Sequence, residues 1–271
     1  RSYYFNQELY YNKLKEFVEL ISCEGQTRAG SRSGKVINEF VISAFDNYIE
    51  SFAVDKVGKL FANVKMVVSV IEPGRFTIGD VTTFEKYINV FENKDTIILQ
   101  QETGLIKMLR DNPKKIAKFK TVSIDNIETY KIAEMINGMW KFNADNTELG
   151  TEKTKLSNTI VAKAEDFAQI VSDSQVVGEQ YYPFTVIKDE SGMLILKVEV
   201  GSLQTSMGVI KSKIPAVIKS VELSNKYAYG FDKYIYNKQY ARKKFTAPNL
   251  PLWVIKQEEN YQVRYMLTPI I

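Results

Sequence analysis

Hydrophobic residues recur at helical spacing in four short segments of the chain. Two segments place apolar residues at i, i+3, i+4 and i+7: Leu14, Phe17, Val18 and Ile21, then Phe84, Tyr87, Ile88 and Phe91. The second half carries two shorter stripes: Phe167, Ile170 and Val171, then Phe231, Tyr234 and Ile235. This spacing puts apolar side chains on one face of a helix. We therefore predict four short amphipathic helices, with Thr82 and Thr83 as N-caps of the second.

Between these helices, apolar and polar residues alternate with the period of two that is typical of strands. The clearest stretches are 36–42, 65–71, 182–187 and 193–200, and residues 189–192 read as a hairpin turn between the last two. Short helices cannot fill a core by themselves, so we expect them to lie on one face of antiparallel sheets. The fold class is predicted to be α+β.

The order of these elements occurs twice. The string Phe-Glu-Lys-Tyr-Ile at 84–88 returns as Phe-Asp-Lys-Tyr-Ile at 231–235, and a helical phenylalanine precedes each, at Phe17 and Phe167. Apolar runs that end in glutamine and glutamate follow at 97–102 and 254–259. An ordered series that recurs indicates one structural unit used twice. We predict two similar domains at 1–124 and 159–271, each an antiparallel sheet with two short helices.

Residues 125–158 have no counterpart in the other half and are predicted to connect the two domains. Residues 127–139 are expected to form a helical turn or two, whereas 143–147 and Gly150 read as loop.

Composition removes several kinds of chemistry. The chain of 271 residues has no histidine and a single cysteine, Cys23, which excludes a Ser–His–Asp triad, an intrachain disulfide and a cysteine-based zinc cluster. We expect Cys23 to be buried and the setting to be cytoplasmic, with no signal peptide and no membrane span. No glycine-rich phosphate loop is present. Asp80 followed by Glu92-Asn93-Lys94 is the nearest string to a metal nuclease site, and we interpret it as a solvated helix end. The sequence therefore predicts no enzyme activity, no cofactor and no metal.

Lysines on the polar sides of the helices are the main candidates for contact with a polyanion, although the net charge is only +4. They are Lys13, Lys15, Lys86, Lys163, Lys233 and Lys238, and Lys86 and Lys233 hold the same place in the two copies. Glutamates and aspartates on the same helices dilute this charge, which disfavours tight, sequence-specific binding of nucleic acid. A denser basic run (Lys107, Arg110, Lys114, Lys115, Lys118 and Lys120) and 242–244 fit either phosphate contact or ordinary charge on strands and turns.

Several local strings resemble those of the DNA polymerase sliding clamps, the family of proliferating cell nuclear antigen and phage processivity factors. They are 250–255 and 265–270 at the carboxyl end, 160–167 at a strand that leads into a helix, and 76–84. The resemblance implies the DNA clamp fold, assembled as a closed homotrimeric ring whose helices line a hole for double-stranded DNA. The lysines named above would then face the duplex, without base readout. In the third helix, Ser172 and Gln175 stand where this family has basic residues.

The same resemblance implies protein partners. The family docks DNA polymerases and clamp loaders in an apolar pocket beneath the interdomain connector. Phe45, Pro251, Tyr265 and Met266 are the matching positions, with Ile127 or Ile132 on the connector, and each also fits plain core packing. Action would be cytoplasmic, at a nucleoid or viral replication site.

The function predicted from the sequence is thus a non-enzymatic sliding clamp that tethers a replicative polymerase to DNA. The alternatives are a nucleic-acid-binding module that forms no ring, a viral structural or assembly protein, and a metal nuclease.

Overall fold

The structure is a computed structural model that describes sixteen stretches of the chain. They are 7–26, 32–70, 72–111, 113–142, 149–152, 155–156, 159–178, 181–188, 190–192, 194–201, 203–204, 208–215, 217–219, 226–230, 240–244 and 251–267. Contacts divide the chain into two units. Unit 1 comprises Arg1–Cys23, Lys35–Asn137 and Glu258–Val263, and unit 2 comprises Glu24–Gly34, Gly138–Gln257 and Arg264–Ile271.

The elements follow one another in this order: β1 (Gln7–Tyr10), α1 (Tyr11–Ser22), β2 (Glu24–Gln26), β3 (Arg32–Lys35), β4 (Phe40–Ala44), β5 (Tyr48–Val54), β6 (Leu60–Val67), β7 (Ser69–Val70), β8 (Gly74–Ile78), α2 (Val81–Ile88), β9 (Thr96–Glu102), β10 (Leu105–Arg110), β11 (Lys115–Lys120), the 3-10 helix η1 (Ile124–Asn126), α3 (Tyr130–Met139), β12 (Lys141–Phe142), β13 (Leu149–Gly150), β14 (Lys155–Leu156), β15 (Thr159–Lys163), α4 (Ala164–Val177), β16 (Tyr181–Lys188), β17 (Leu194–Gly201), β18 (Val209–Pro215), β19 (Val217–Lys219), β20 (Lys226–Gly230), β21 (Tyr240–Lys244), β22 (Leu252–Gln257) and β23 (Tyr261–Leu267).

Unit 1 contains two antiparallel arrays of strands. One has the order β11-β10-β9-β1-β7, and in the other β8, β4, β5 and β6 pair in that order. Helix α1 packs on β5 and β6, and α2 packs on β11 and on α1. The core holds fully buried aromatic side chains: Phe17, Phe40, Phe61, Phe76 and Phe84. Burial of this much apolar surface fixes both helices on their sheets.

Unit 2 is also built from antiparallel strands. Its larger arrays are β18-β17-β16-β20 and, in order, β19, β15, β21 and β22, and α4 packs on β15, β17, β18 and β21. The predicted hairpin at 189–192 is confirmed, because β16 pairs with β17 and Gly192 has the positive φ of 82° that glycine adopts readily. The α+β class with short helices and antiparallel sheets is therefore confirmed.

Three of the four predicted helices are confirmed as α1, α2 and α4. The fourth, at 231–235, lies outside the described residues, so the second copy of the repeated string is not tested. Cys23 is buried as expected, at the end of α1.

Two predicted strands have different limits in the structure. The strand predicted at 36–42 is β4 at Phe40–Ala44 instead, because Val36 and Ile37 donate their N–H groups to the Cys23 and Ser22 carbonyls at the end of α1. The strand predicted at 65–71 begins earlier, as β6, and is interrupted where Val68 donates to the Asn47 carbonyl.

The beginning of the predicted connector is helical and packs on unit 1. Ile127 and Ala133 are buried, and Tyr130 stacks on Phe52 at 5.6 Å between ring centres. Glu39 Oε1 accepts hydrogen bonds from both the N–H and the hydroxyl of Thr129. The helical turns expected at 127–139 are confirmed by α3. The predicted domain limits at 124 and 158 stay predictions.

Candidate functional site

Helix α1 has one buried face and one polar face. Leu14, Phe17 and Ile21 are completely buried, so they fix the rotation of the helix about its axis. As a result Lys15 is exposed and Lys13 is half-buried at the border of the apolar face.

Helix α2 repeats this arrangement with the residues of the repeated string. Phe84 and Ile88 are buried, and the Phe84 ring lies 5.6 Å from that of Phe119 on β11. Lys86 is on the opposite side and is exposed. The apolar members of the string therefore anchor the helix, and its lysine is presented to solvent.

The predicted caps of α2 are wrong. The N-cap is Asp80, whose carboxylate accepts hydrogen bonds from the Thr82 N–H at 3.0 Å and the Thr83 hydroxyl at 2.6 Å. Both threonines lie inside the first turn, where their backbone N–H groups need an acceptor, and the preceding aspartate supplies it.

A hydrogen bond links the start of α1 with the end of α2. Lys15 Nζ is 5.7 Å from the centre of the Tyr11 ring, and the Tyr11 hydroxyl donates to Asn89 Oδ1 at 3.0 Å. Asn89 directly follows α2 and is exposed, three residues after Lys86. Residues three apart share a helix face. Lys15 therefore contacts one of the two bonded residues, Tyr11, and Lys86 shares a helix face with the other, Asn89.

An ion pair reduces the negative charge beside Lys86. Lys35 Nζ lies 2.9 Å from Glu85 Oε1, with the Lys35 side chain 9% and the Glu85 side chain 25% exposed. Glu85 was expected to dilute the positive charge of α2. Since Lys35 balances that carboxylate, Lys86 carries the remaining charge within residues 81–88.

Asp95 holds the ends of both helices, a role that sequence reasoning missed. Its backbone carbonyl accepts from the Tyr11 N–H at the start of α1, and its carboxylate accepts from the Glu92 N–H after α2. Both carboxylate oxygens also accept from Arg110 Nη1, at 2.9 and 2.7 Å. Burial acts to raise the pKa of Asp95, but the Glu92 hydrogen bond and the Arg110 charge outweigh it and hold the pKa below the usual 3.8. The bond to Glu92 is local, but no local pattern reveals the other two partners, because Arg110 and Tyr11 lie 15 and 84 residues away.

The basic residues at 107–120 divide into three groups. Arg110 pairs with Asp95, and Lys115 donates to the Val90 carbonyl, so these two are structural. Lys107 is half-buried. Lys114, Lys118 and Lys120 are exposed.

The unit 2 candidates are described less fully. Lys163 is the last residue of β15, and its side chain is not among those described. Lys233 and Lys238 lie outside the described residues. On α4, Ser172 is half-buried, whereas the side chain of Gln175 is among those not described.

The residues predicted for partner binding lie in both units. In unit 1, Phe45 follows β4, is 41% exposed and stacks on Tyr48 at 4.6 Å, whereas Ile127 is buried. In unit 2, Pro251 is half-buried and Tyr265 and Met266 are buried. Ile132, the other connector candidate, is 47% exposed. Their joint role stays a prediction.

The string considered for a nuclease has structural partners. Asp80 caps α2, and Glu92 forms a surface ion pair with Lys94 at 3.3 Å. Within the described stretches, no group of three or more acidic, cysteine or histidine residues could hold a metal ion. In the same stretches, no helix is long and apolar enough to cross a membrane.

The backbone is similar to a solved structure over nearly its full length. The crystal structure of proliferating cellular nuclear antigen from Entamoeba histolytica matches with a TM-score of 0.68 and 12% sequence identity, over 98% of this chain and 99% of that one. No family model matches the chain, and no curated protein matches it in sequence. The chain thus has the fold of proliferating cellular nuclear antigen, the sliding-clamp fold.

Proposed function

We propose that the chain is one subunit of a closed ring that encircles duplex DNA and tethers a replicative polymerase to it. The observation that carries this proposal is the match to a sliding-clamp fold over 98% of the chain. The exposed lysines on α1 and α2 add a chemical reason, because the helix faces turned away from the core offer positive charge to a polyanion.

Contact with DNA is proposed to be loose and independent of sequence. Lys15 and Lys86, with Lys13 at the border, supply few charges, and Glu16 and Glu19 lie on the same helix. Lysine is a flexible point charge that binds phosphates without reading bases. A small number of such contacts, partly bridged by water, permits sliding. Lys163, Lys233 and Lys238 are proposed as the corresponding contacts of unit 2.

Ring closure is proposed to use the outer strands β11 and β18. In the described part of the chain these are the longest outer strands, with 6 and 7 residues, and each is paired on one side only. Pairing β11 of one subunit with β18 of the next is a head-to-tail contact, which closes a ring when the rotation between subunits fits. It would also cover two edges that otherwise favour aggregation. Three subunits are proposed from the resemblance.

Partner proteins are proposed to bind at Phe45, Ile127, Pro251, Tyr265 and Met266. Phe45 supports this best, since an exposed aromatic side chain stacked on Tyr48 is a ready apolar contact. Polymerase and clamp loader are the proposed occupants. We propose that the chain has no enzymatic role. Because it would then have no activity of its own to open the ring, we propose that a separate loader protein does so.

A DNA-trapping experiment tests the ring without a known loader. The chain is mixed with linear duplex DNA that carries biotin at both ends, streptavidin is then added to block the ends, and competitor DNA follows. A ring that has threaded onto the DNA stays on blocked DNA and leaves DNA with free ends. If the chain binds both kinds of DNA and the competitor removes it equally from both, it is a binding module without a ring. If it binds neither kind of DNA even before competitor is added, it is a structural protein. Both of these results contradict the proposal.

A further inference from the structure

Unit 1 contains a cavity of about 650 Å³ whose lining includes neither the helix lysines nor Phe45. Three segments line it: the outer edge of β8, the end of β9 with the turn that follows it, and the residues from the end of β11 to the first residue of η1. The lining residues are Gly74, Arg75, Thr77, residues 101–104 and residues 121–124. This volume lies in the range of pockets that bind small ligands.

Hydrogen bonds tie the three walls together. The Thr77 N–H donates to Gln101 Oε1 at 3.1 Å, and the Thr77 carbonyl accepts from the Thr121 hydroxyl. The Thr121 N–H in turn donates to the Gly104 carbonyl at 3.0 Å. These bonds brace the walls of the cavity, which lowers the entropic cost of binding.

A glycine fixes the position of the apolar part of the wall. A Cβ atom on Gly79 would come within 2.8 Å of Val122 Cγ2, so only glycine lets Val122 lie where it does. Val122 and Ile124 supply the large apolar side chains of the lining.

One wall offers an unpaired strand edge. In an antiparallel pair, alternate residues of an outer strand direct their N–H and C=O groups away from the neighbouring strand. Thr77 does so, since its backbone groups bond Gln101 and Thr121, and Arg75, two residues earlier, must do the same. Among the described residues, no partner is recorded for the backbone groups of Arg75 on that side. Arg75 is exposed and adds a guanidinium group to the same edge.

We propose that this cavity binds a short extended peptide of a partner protein, which pairs with the Arg75 backbone and places one carboxylate beside the Arg75 guanidinium. An aliphatic residue next to the acidic one would pack on Val122 and Ile124. Strand addition at a sheet edge is an established way of binding extended peptides, and arginine pairs with carboxylates in a bidentate manner. Glu102, the last residue of β9, also lines the cavity and disfavours a second acidic residue. The site lies within unit 1, so it requires neither the ring nor DNA.

The probe is an acetylated and amidated pentapeptide, Ala-Val-Asp-Val-Ala, titrated into the full chain labelled with ¹⁵N and followed by NMR. The comparison peptides replace Asp by Lys, or methylate the Asp amide nitrogen. Inorganic phosphate is a fourth probe. We expect saturable shifts at Arg75, Gly104 and Ser123 with the Asp peptide, and affinity at least about tenfold weaker for the Lys and N-methyl peptides.

Two variants separate the charge from the wall. Arg75→Glu should reverse the preference from the Asp to the Lys peptide, whereas Lys56→Glu, the same charge change on an exposed turn of unit 1, should not. Gly79→Ala should weaken the binding of both the Asp and the Lys peptide, because the added methyl group displaces Val122. Binding of phosphate as tight as that of the Asp peptide would reduce the site to a simple anion contact and overturn the proposal. The proposal also fails if no peptide gives saturable shifts, or if Arg75→Glu leaves the preference unchanged.

Discussion

Substitutions at two neighbouring positions of α2 should separate anchoring from DNA contact. Phe84→Ala removes a ring that is completely buried, whereas Lys86→Glu reverses an exposed charge two residues away, on the opposite side of the helix. Burial of a phenylalanine side chain removes about 200 Å² of apolar surface from water. At about 25 cal/mol per Å², this contributes at most about 5 kcal/mol to the free energy of unfolding. Phenylalanine to alanine changes in cores cost about 3–5 kcal/mol. We expect a loss in this range for Phe84→Ala.

Lys86→Glu should cost far less stability. Lys86 lies in the last turn of α2, where a positive charge interacts favourably with the helix dipole, so its reversal costs about 1 kcal/mol or less. Binding to DNA should respond instead. Each lost lysine–phosphate contact lowers the log–log salt slope by up to about 0.9, and the salt slope of the variant should decrease accordingly. Lys94→Glu, the same charge change on the turn after α2, is the matched control and should leave the slope unaltered.

The assays are urea unfolding followed by far-UV circular dichroism, and DNA binding measured across a salt series. Circular dichroism is needed because both tryptophans, Trp140 and Trp253, belong to unit 2 and do not report on α2. An unfolding midpoint of Phe84→Ala equal to that of the unmodified chain would refute the anchoring role. A salt slope of Lys86→Glu equal to that of the control would refute the DNA contact.

Three further results are expected. Glu39→Ala should destabilise the start of the connector by about 1–3 kcal/mol, because the buried Thr129 N–H loses its acceptor, and faster hydrogen exchange at Thr129 with unchanged exchange in β5 would show it. Asp95→Asn should lower stability at neutral pH by an amount that shrinks as the pH falls below 3.8: the pKa of Asp95 is lowered in the folded state, so its contribution is present above the unfolded value and is lost on acidification. A constant difference between the two proteins from pH 7 to pH 2 would contradict this. Salt should strengthen the association of subunits, because it screens the repulsion between exposed lysines on the two proposed contact strands. These lysines are Lys118 and Lys120 on β11 and Lys211 and Lys213 on β18. Weaker association at high than at low NaCl, measured by sedimentation, would contradict this.

Local periodicity was sufficient to predict α1, α2 and α4. The stripes around Phe17 and Phe84 predict α1 and α2 because burial of an amphipathic face depends on residues three and four apart. The side on which Lys15 and Lys86 lie follows directly from these stripes. The hairpin at 189–192 is equally local, since its turn residues determine the register.

Features that depend on distant residues were not predictable in this way. Val36 and Ile37 read as strand, yet their backbone groups bond the end of α1, which no alternation pattern reveals. The links among Tyr11, Asp95 and Arg110 and the pairing of Lys35 with Glu85 join parts of the chain that only the tertiary fold brings together.

The mass of the native particle tests the central claim most directly. Sedimentation equilibrium of the unmodified chain at micromolar concentration should give three times the 31.1 kDa of one chain. A species of 31.1 kDa that persists across concentration and salt would contradict a ring-forming clamp.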